Sequence, residues 1–296
     1  TRLIATIADS YYTLTMLDAQ LEINRRTLEN WHKTVKTLEA LKRVGESNEA
    51  GVLQAKSSVM ELDASRLAIL KSISETENAL SSLLAMPSQT IRRGTLAEAS
   101  FPDTISIGVP LQLLSNRPDV RNAEMNLAQA FYATNVARAA FYPSITLSGT
   151  LGWTNNGGGI VTNPGQWLLN AIGSLTQPLF NRGANIANLK IAEAQQDEAQ
   201  LLFRQSLLDA GREVNDALTA WQTAKSQIDI SERQVETLNE AVRKTQLLMR
   251  HSDTTYLEVL TAQQTLLDAE MTLAQRRFDR IQAVINLYHA LGGGTD

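Results

Sequence analysis

The sequence lacks cysteine, and its three histidines, His32, His251 and His289, lie far apart. The lack of cysteine excludes disulfides, thiolate zinc sites and thiol nucleophiles. The histidines do not have the spacing of metal ligands. We therefore expect no metal site and no cofactor. With 27 basic and 31 acidic residues the net charge is −4, which is unfavourable for nucleic-acid binding. No apolar run approaches the roughly 20 residues that a membrane-spanning helix needs.

Sequence motifs of catalysis are also missing. We find no nucleophile elbow, P-loop, dinucleotide fingerprint or zinc-binding helix. The glycine runs at 157–159 and 292–294 do not stand between a strand and a helix, as a phosphate-binding loop requires. They are typical of a surface turn and of a chain end, so the sequence predicts a protein that is not an enzyme.

Helix breakers are confined to the middle of the chain. All seven prolines lie at residues 87–178, and the two flanks, 1–86 and 184–291, contain only three glycines (Gly45, Gly51, Gly211). Proline and glycine interrupt helices, so the flanks are predicted to form very long ones. We expect six segments: a helical hairpin at 1–86, a linker at 87–116, a helix at 117–141, a β-hairpin at 142–183, a second helical hairpin at 184–291 and a tail at 292–296.

The two flanks are copies of each other, offset by 207 positions. The offset places Ile23 on Ile230, Arg26 on Arg233, and Val52 on Val259, and no gap is needed over about 80 residues. Each copy predicts a long helix, a short break (44–49 or 251–254) and a second helix of nearly 40 residues.

Heptads of apolar residues run along these helices. The leading helix has one seam in each copy, from Ile7 to Leu38 and from Val214 to Thr245. The helix after residue 255 has two seams, one beginning at Leu257 and the other at Val259. Two seams suit a helix with a neighbour on each side, as in a barrel of helices, whereas a two-stranded coiled coil needs one. A four-helix bundle is the alternative.

The hydrophobic period changes to two after Pro143. Hydroxyl and apolar residues alternate over 11 positions, which suits a bilayer-spanning β-strand, and a second extended run follows at 167–180. In a membrane barrel one set faces the pore (Ser144, Thr146, Ser148, Thr150) and the other faces lipid (Ile145, Leu147, Leu151, Trp153). A soluble hairpin with its apolar face on a core is the alternative. A barrel needs further strands, because an open strand pair leaves backbone groups unpaired in lipid.

Four stretches, at 114–124, 137–147, 177–183 and 256–263, resemble motifs of the TolC-like outer membrane efflux channels of tripartite pumps, in their lipoprotein subgroup. The resemblance implies a mainly α fold with a β-hairpin, in which long αα-hairpins form a trimeric α-helical barrel continued by a transmembrane β-barrel. It implies a passive exit duct for drugs or other small solutes, located in the outer membrane with a long periplasmic extension. The implied partners are two further copies, outer membrane lipid, a periplasmic adaptor and an inner membrane resistance-nodulation-division transporter. It also implies that the chain is a fragment lacking the N-terminal part.

The resemblance assigns roles to residues at the ends of the helical hairpins. The hairpin tips are expected to contact the adaptor (Arg43, Gly45, Ser47, Arg250, Ser252, Thr254), and Ser252 replaces the usual glycine. Glu258 is expected to face the lumen at a constriction, where Thr261 replaces a second acid. The competing hypothesis is a soluble periplasmic coiled-coil adaptor, which would not depend on detergent.

Overall fold

The structure is a computed structural model that describes residues 2–45, 48–98, 117–154, 166–176, 181–250 and 256–293. Its elements, in chain order, are α1 (Arg2–Arg43), α2 (Glu49–Leu83), a 3₁₀ turn (Leu96–Glu98), α3 (Pro118–Ala139), β1 (Ser144–Thr154), β2 (Gln166–Thr176), α4 (Ala184–Arg250) and α5 (Tyr256–Ala290). These elements form two compact units, one made of Thr1–Arg117 with Ala210–Asp296 and the other of Pro118–Asp209.

Most element boundaries match the sequence predictions. β1 spans the predicted residues, and α4 runs for 67 residues as predicted. Helices α2 and α5 have 35 residues each rather than nearly 40. β2 begins one residue early and ends at Thr176, and the predicted extension over 177–180 lies outside the described residues.

In the first unit, α1 packs against both α2 and α5. One apolar cluster joins Leu14 and Leu17 of α1 to Phe278 and Ile281 of α5. A second cluster, nearer the hairpin tips, surrounds Trp31 of α1 with side chains of α2 and α5 (Val52, Ala55, Leu62, Leu260, Leu267). Burial of these side chains holds the helices together, because each buried methylene contributes about 0.8 kcal/mol.

Helix α5 contacts two other helices of its unit. Leu260 and Leu267 of one seam pack in the cluster around Trp31 of α1. On the other side, Arg277 of α5 pairs with Glu232 of α4 at 2.9 Å. The predicted seam residues of α1 and α4 are all buried or half-buried, whereas Leu257 of α5 is exposed. Helix α5 thus has contacts with both α1 and α4, while the packing of the seam that begins at Val259 stays a prediction.

A strap formed by residues 91–98 crosses α1 and α2. The Arg93 guanidinium donates two hydrogen bonds to Asp18, at 2.5 and 2.9 Å, and a third to Glu77 at 2.5 Å. The hydrogen bonds to Asp18, followed by that to Glu77, raise the pKa of Arg93 above its ordinary value. The backbone amide of Gly94 donates to the Tyr11 hydroxyl at 3.1 Å. The strap therefore fixes α1 and α2 to each other through charge-assisted bonds.

In the second unit, α3 packs against the beginning of α4. The buried Thr134 hydroxyl of α3 donates to the Ala192 carbonyl at 3.1 Å. The Asn185 amide donates to the Ala140 carbonyl at 3.2 Å, where the chain leaves α3 for β1. None of the described helices combines the length and the hydropathy that a membrane-spanning helix requires.

Candidate functional site

The β-hairpin carries its hydroxyl and apolar residues on opposite faces. β1 and β2 are antiparallel, and their register places Ile145 opposite Leu175 and Thr146 opposite Ser174. Residues directly opposite in such a ladder share a face, so each face of β1 continues into β2. The predicted alternation of Ser144, Thr146, Ser148 and Thr150 with Ile145, Leu147 and Leu151 is present in the strand.

The apolar face of this hairpin is bare. Ile145 and Leu147 are 81% and 80% exposed, and Leu151 and Leu175 are also exposed. The register pairs Trp153 with Trp167, although their side chains lie outside the described part of the structure. Such a contiguous apolar surface marks an interaction site, since in water its exposure costs roughly 25 cal/mol per Å².

The hydroxyl face is less uniform than the pattern of β1 alone predicts. Ile172 of β2 lies opposite Ser148, and the Ser148 hydroxyl donates to the Ile172 carbonyl at 3.5 Å. The Ser144 hydroxyl donates similarly to the Thr176 carbonyl at 3.2 Å. The hydroxyls of Ser144 and Ser148 thus contact the β2 backbone, and the apolar Ile172 of β2 shares their face.

The first hairpin tip is a tight turn that leaves its backbone accessible. α1 ends at Arg43, whose side chain donates to the Glu39 carbonyl at 3.3 Å. Gly45 has a φ of 81°, a left-handed conformation that favours glycine, and no atom would lie within 4 Å of a Cβ there. Asn48 caps α2 by accepting a hydrogen bond from the Gly51 amide at 2.9 Å. Ser47 lies outside the described residues.

Less of the second tip is described. Arg250 is the last residue of α4, and its side chain lies outside the described part of the structure. Ser252 and Thr254 lie outside the described residues altogether. The structure therefore brings Arg43 and Gly45 together at one tip, and the equivalent grouping at the second tip stays a prediction.

Glu258 and Thr261 lie in the first two turns of α5, and both are exposed. The first turn is a favourable place for a carboxylate, because the positive end of the helix dipole lies there. Thr261 lines a groove of about 390 Å³ between α2 and α5, with Trp31 of α1 also lining it. Six of the other lining residues are polar (Gln54, Ser57, Ser58, Glu61, Gln264, Thr265), and two are leucines (Leu257, Leu260).

Sequence reasoning missed a close contact between Gly51 and Tyr256. A Cβ at Gly51 would lie 2.8 Å from Cε2 of the Tyr256 ring, so only glycine leaves room for the ring. The contact joins the first turn of α2 to the first residue of α5. A glycine near the start of a helix was the one sequence feature that pointed to a close contact here. The sequence does not indicate which residue makes that contact.

Arg117 lies within the stretch 114–124, and the sequence predicts no role for it. It is buried just before α3, pairs with Glu213 of α4 at 2.7 Å, and donates to the Ala290 carbonyl at 3.1 Å. It thereby satisfies a carbonyl in the last turn of α5, where a positive charge is favoured. An arginine directly before the proline that starts α3 was the only sequence feature that pointed to these contacts with α4 and α5.

The sequence profile of the outer membrane efflux protein family matches residues 109–293, more than half of the chain. The cation efflux system protein CusC of Escherichia coli O6:H1 is 33% identical over 298 residues, which cover 99% of this chain and 64% of CusC. The probable outer membrane lipoprotein SilC of Salmonella typhimurium is 30% identical over 300 residues, with the same coverage of each chain. A crystal structure of CusC matches with a TM-score of 0.91 and 30% sequence identity, covering 99% of this chain and 68% of that one.

The chain belongs to the outer membrane efflux protein family. It spans about 64% of the length of the curated relatives that it matches. These findings confirm the family and the fold class predicted from the sequence, and with the family the outer membrane location. They do not bear on the roles expected of single residues at the tips, at the start of α5 or on the strands.

Proposed function

We propose that this protein is a subunit of an outer membrane channel, which serves as the passive exit duct of a tripartite efflux pump for drugs or other small solutes. Family membership supports a channel rather than a soluble adaptor. The observation that carries the proposal is the bare apolar face of the β-hairpin. Apolar side chains such as Ile145 and Leu147 that no other part of the protein covers are stable in contact with lipid, not with water.

In this proposal the strand residues have two surroundings. Ile145, Leu147, Leu151 and Trp153 face lipid, and Ser144, Thr146, Ser148 and Thr150 face a water-filled pore. The hairpin then contributes two strands to a barrel that further strands must close, because every backbone group in lipid needs a partner. We propose that these strands come from the rest of the full-length subunit and from two further copies in a homotrimer.

The helical unit then forms the periplasmic part of the duct. The proposed adaptor contacts are Arg43, Gly45 and Ser47 at one tip, and Arg250, Ser252 and Thr254 at the other. Glu258 narrows the lumen near these tips, with Thr261 one turn further into the duct. Three carboxylates close to one axis attract cations electrostatically. The adaptor in turn connects the channel to an inner membrane resistance-nodulation-division transporter.

An efflux assay in cells tests this function. Cells that lack the gene are expected to accumulate a fluorescent pump substrate, and the wild-type gene restores its export. Gly45→Trp, which adds bulk at the open tip, is expected to reach the outer membrane at normal levels but to restore neither export nor adaptor cross-linking. Export that is the same with and without the wild-type gene contradicts the proposed function.

A further inference from the structure

A cavity of about 550 Å³ lies within the helical unit, and the strap of residues 91–98 forms one of its walls. Its other walls belong to α1, α4 and α5, so all of its lining residues lie in one compact unit. The volume falls within the range of about 300–1,000 Å³ that is usual for small-molecule sites. Among the described residues, none of those proposed for the tips, the constriction or the strands lines this cavity. The proposed channel function therefore gives the cavity no role.

Each of the four elements contributes apolar side chains to the cavity. Leu96 of the strap and Leu273 of α5 are buried, and Ile23 of α1 and Val235 of α4 are half-buried. A ligand with an apolar body is therefore stabilised by removing its surface from water against these side chains.

The acids that line the cavity already have arginine partners. The Arg93 guanidinium donates to both carboxylate oxygens of Asp18. Arg26 donates to Glu270 at 2.6 Å, and all four of these residues line the cavity. The remaining acid, Glu22, accepts hydrogen bonds at both oxygens from an arginine of its own helix, Arg25. This arrangement disfavours a cationic ligand.

Arg277 is the third arginine that lines the cavity, and its partner lies outside the cavity. Its guanidinium donates to Glu232 of α4 at 2.9 Å, and Glu232 is not a lining residue. A guanidinium has five N–H donors. Among the described residues, Glu232 is the only acceptor of a hydrogen bond from the Arg277 side chain. Arg277 therefore combines a position on the cavity wall with donors that the described residues do not occupy.

We propose that this cavity binds a small anionic amphiphile, whose single carboxylate or sulfate group pairs with Arg277 and whose apolar body lies against the apolar walls. A guanidinium suits such a group, because its parallel N–H donors match two oxygens of the anion. The inference goes beyond the proposed channel and does not depend on it.

The size of the cavity restricts the ligand further. A volume of about 550 Å³ accepts one alkyl chain or a compact ring system, but not the two acyl chains of a membrane phospholipid. The ligand is therefore an amphiphile that diffuses freely in water. When bound, it contacts the strap, α1, α4 and α5 at once and holds these four elements together.

Photoaffinity labelling of the full-length protein in lipid nanodiscs tests this site. The probe is dodecanoate with a diazirine on its chain, and mass spectrometry identifies the residues labelled after illumination. We expect saturable labelling of residues that line the cavity. Unlabelled dodecanoate is expected to suppress this labelling, whereas dodecanol, which has the same chain without the charge, is expected to be about tenfold less effective. A phospholipid with the diazirine on an acyl chain is expected to leave the cavity unlabelled.

Three variants test the role of Arg277. Arg277→Gln is expected to weaken the apparent affinity for the probe about tenfold, as the loss of one hydrogen bond to a charged group does. Glu232→Gln is the matched control, because it breaks the same ion pair but leaves the guanidinium on the cavity wall. It is expected to bind the probe at least as tightly as the wild type. Arg276→Gln removes a neighbouring positive charge that does not line the cavity, and is expected to bind like the wild type.

Several results would overturn the proposal. Labelling that does not saturate, or that dodecanol suppresses as well as dodecanoate does, shows unspecific adsorption to an apolar surface. Equal losses of affinity in Arg277→Gln and Glu232→Gln show that the ion pair supports the fold and that Arg277 does not bind the anion. Labelling of the cavity by the phospholipid probe shows a lipid site. Each of these results leaves the channel proposal standing, since none of them concerns conduction.

Discussion

The ring of Tyr256 lies against the bare backbone of Gly51, so close that a Cβ on that glycine would be 2.8 Å from ring atom Cε2. Gly51 is in the first turn of α2, and Tyr256 is the first residue of α5. Both helices lead away from a hairpin tip. This contact therefore holds together the starts of the two returning helices, next to the surface that we propose for adaptor docking.

The variant Gly51→Ala tests this contact. Alanine favours a helix by about 0.5–1 kcal/mol over glycine, but here its methyl group displaces the Tyr256 ring, and such overpacking costs about 1–3 kcal/mol. We expect a lower thermal midpoint by circular dichroism. Gly211→Ala is the matched control, since a Cβ at Gly211 meets no atom within 4 Å. Its midpoint is expected to rise slightly, and equal shifts in both variants contradict the account.

The left-handed conformation of Gly45 predicts that substitutions there destabilise the protein through backbone strain alone. Gly45→Ala is expected to reduce the free energy of unfolding by about 1 kcal/mol, because a Cβ strains this conformation although the space around it is open. Gly45→Asn is expected to lose less, since asparagine tolerates positive φ. Chemical denaturation of the three proteins checks this order. A loss with asparagine as large as with alanine argues against a left-handed turn at the tip.

Removing Arg117 is expected to destabilise the protein strongly. Arg117→Met leaves the Ala290 carbonyl without this donor and Glu213 without its charged partner. Breaking a buried charged pair costs about 3–5 kcal/mol, and the partial exposure of Glu213 reduces this to about 2–3 kcal/mol. Arg138→Met is the comparison, because its pair with Glu193 lies on the surface and contributes at most about 1 kcal/mol. Thermal unfolding that is alike in the two variants contradicts the role of Arg117.

Local patterns in the sequence predicted the elements but not the contacts between distant ones. The change from helical to alternating periodicity placed β1 at Ser144–Thr154, and the lack of breakers placed α4 at Ala184–Arg250. Periodicity reports which face of an element is apolar, not which residue it meets. Hence the contacts of Arg117 with Glu213 and Ala290 and that of Gly51 with Tyr256 were not predicted. The predicted extension of β2 to Phe180 lies outside the described residues and stays a prediction.

The two faces of β1 are expected to differ in their tolerance of charge. Leu147→Arg places a charge against lipid near the middle of the strand, which costs about 2–4 kcal/mol, while Ser148→Arg places it in the pore at a much smaller cost. The measurement is the yield of heat-stable oligomers in outer membranes. Equal yields for these neighbouring positions contradict the assignment of lipid and pore faces.

The conductance of the assembled full-length protein in a planar lipid bilayer tests the central claim most directly. We predict discrete channels that favour cations, and we predict that Glu258→Gln reduces both the cation preference and the block by divalent cations, since it removes the charges proposed to converge at the constriction. Glu75→Gln, at an exposed position on α2 that does not line the groove with Thr261, is the control and is expected to keep both properties. Wild-type protein that inserts without any conductance contradicts the channel itself, and Glu258→Gln with unchanged selectivity and block contradicts the constriction at Glu258.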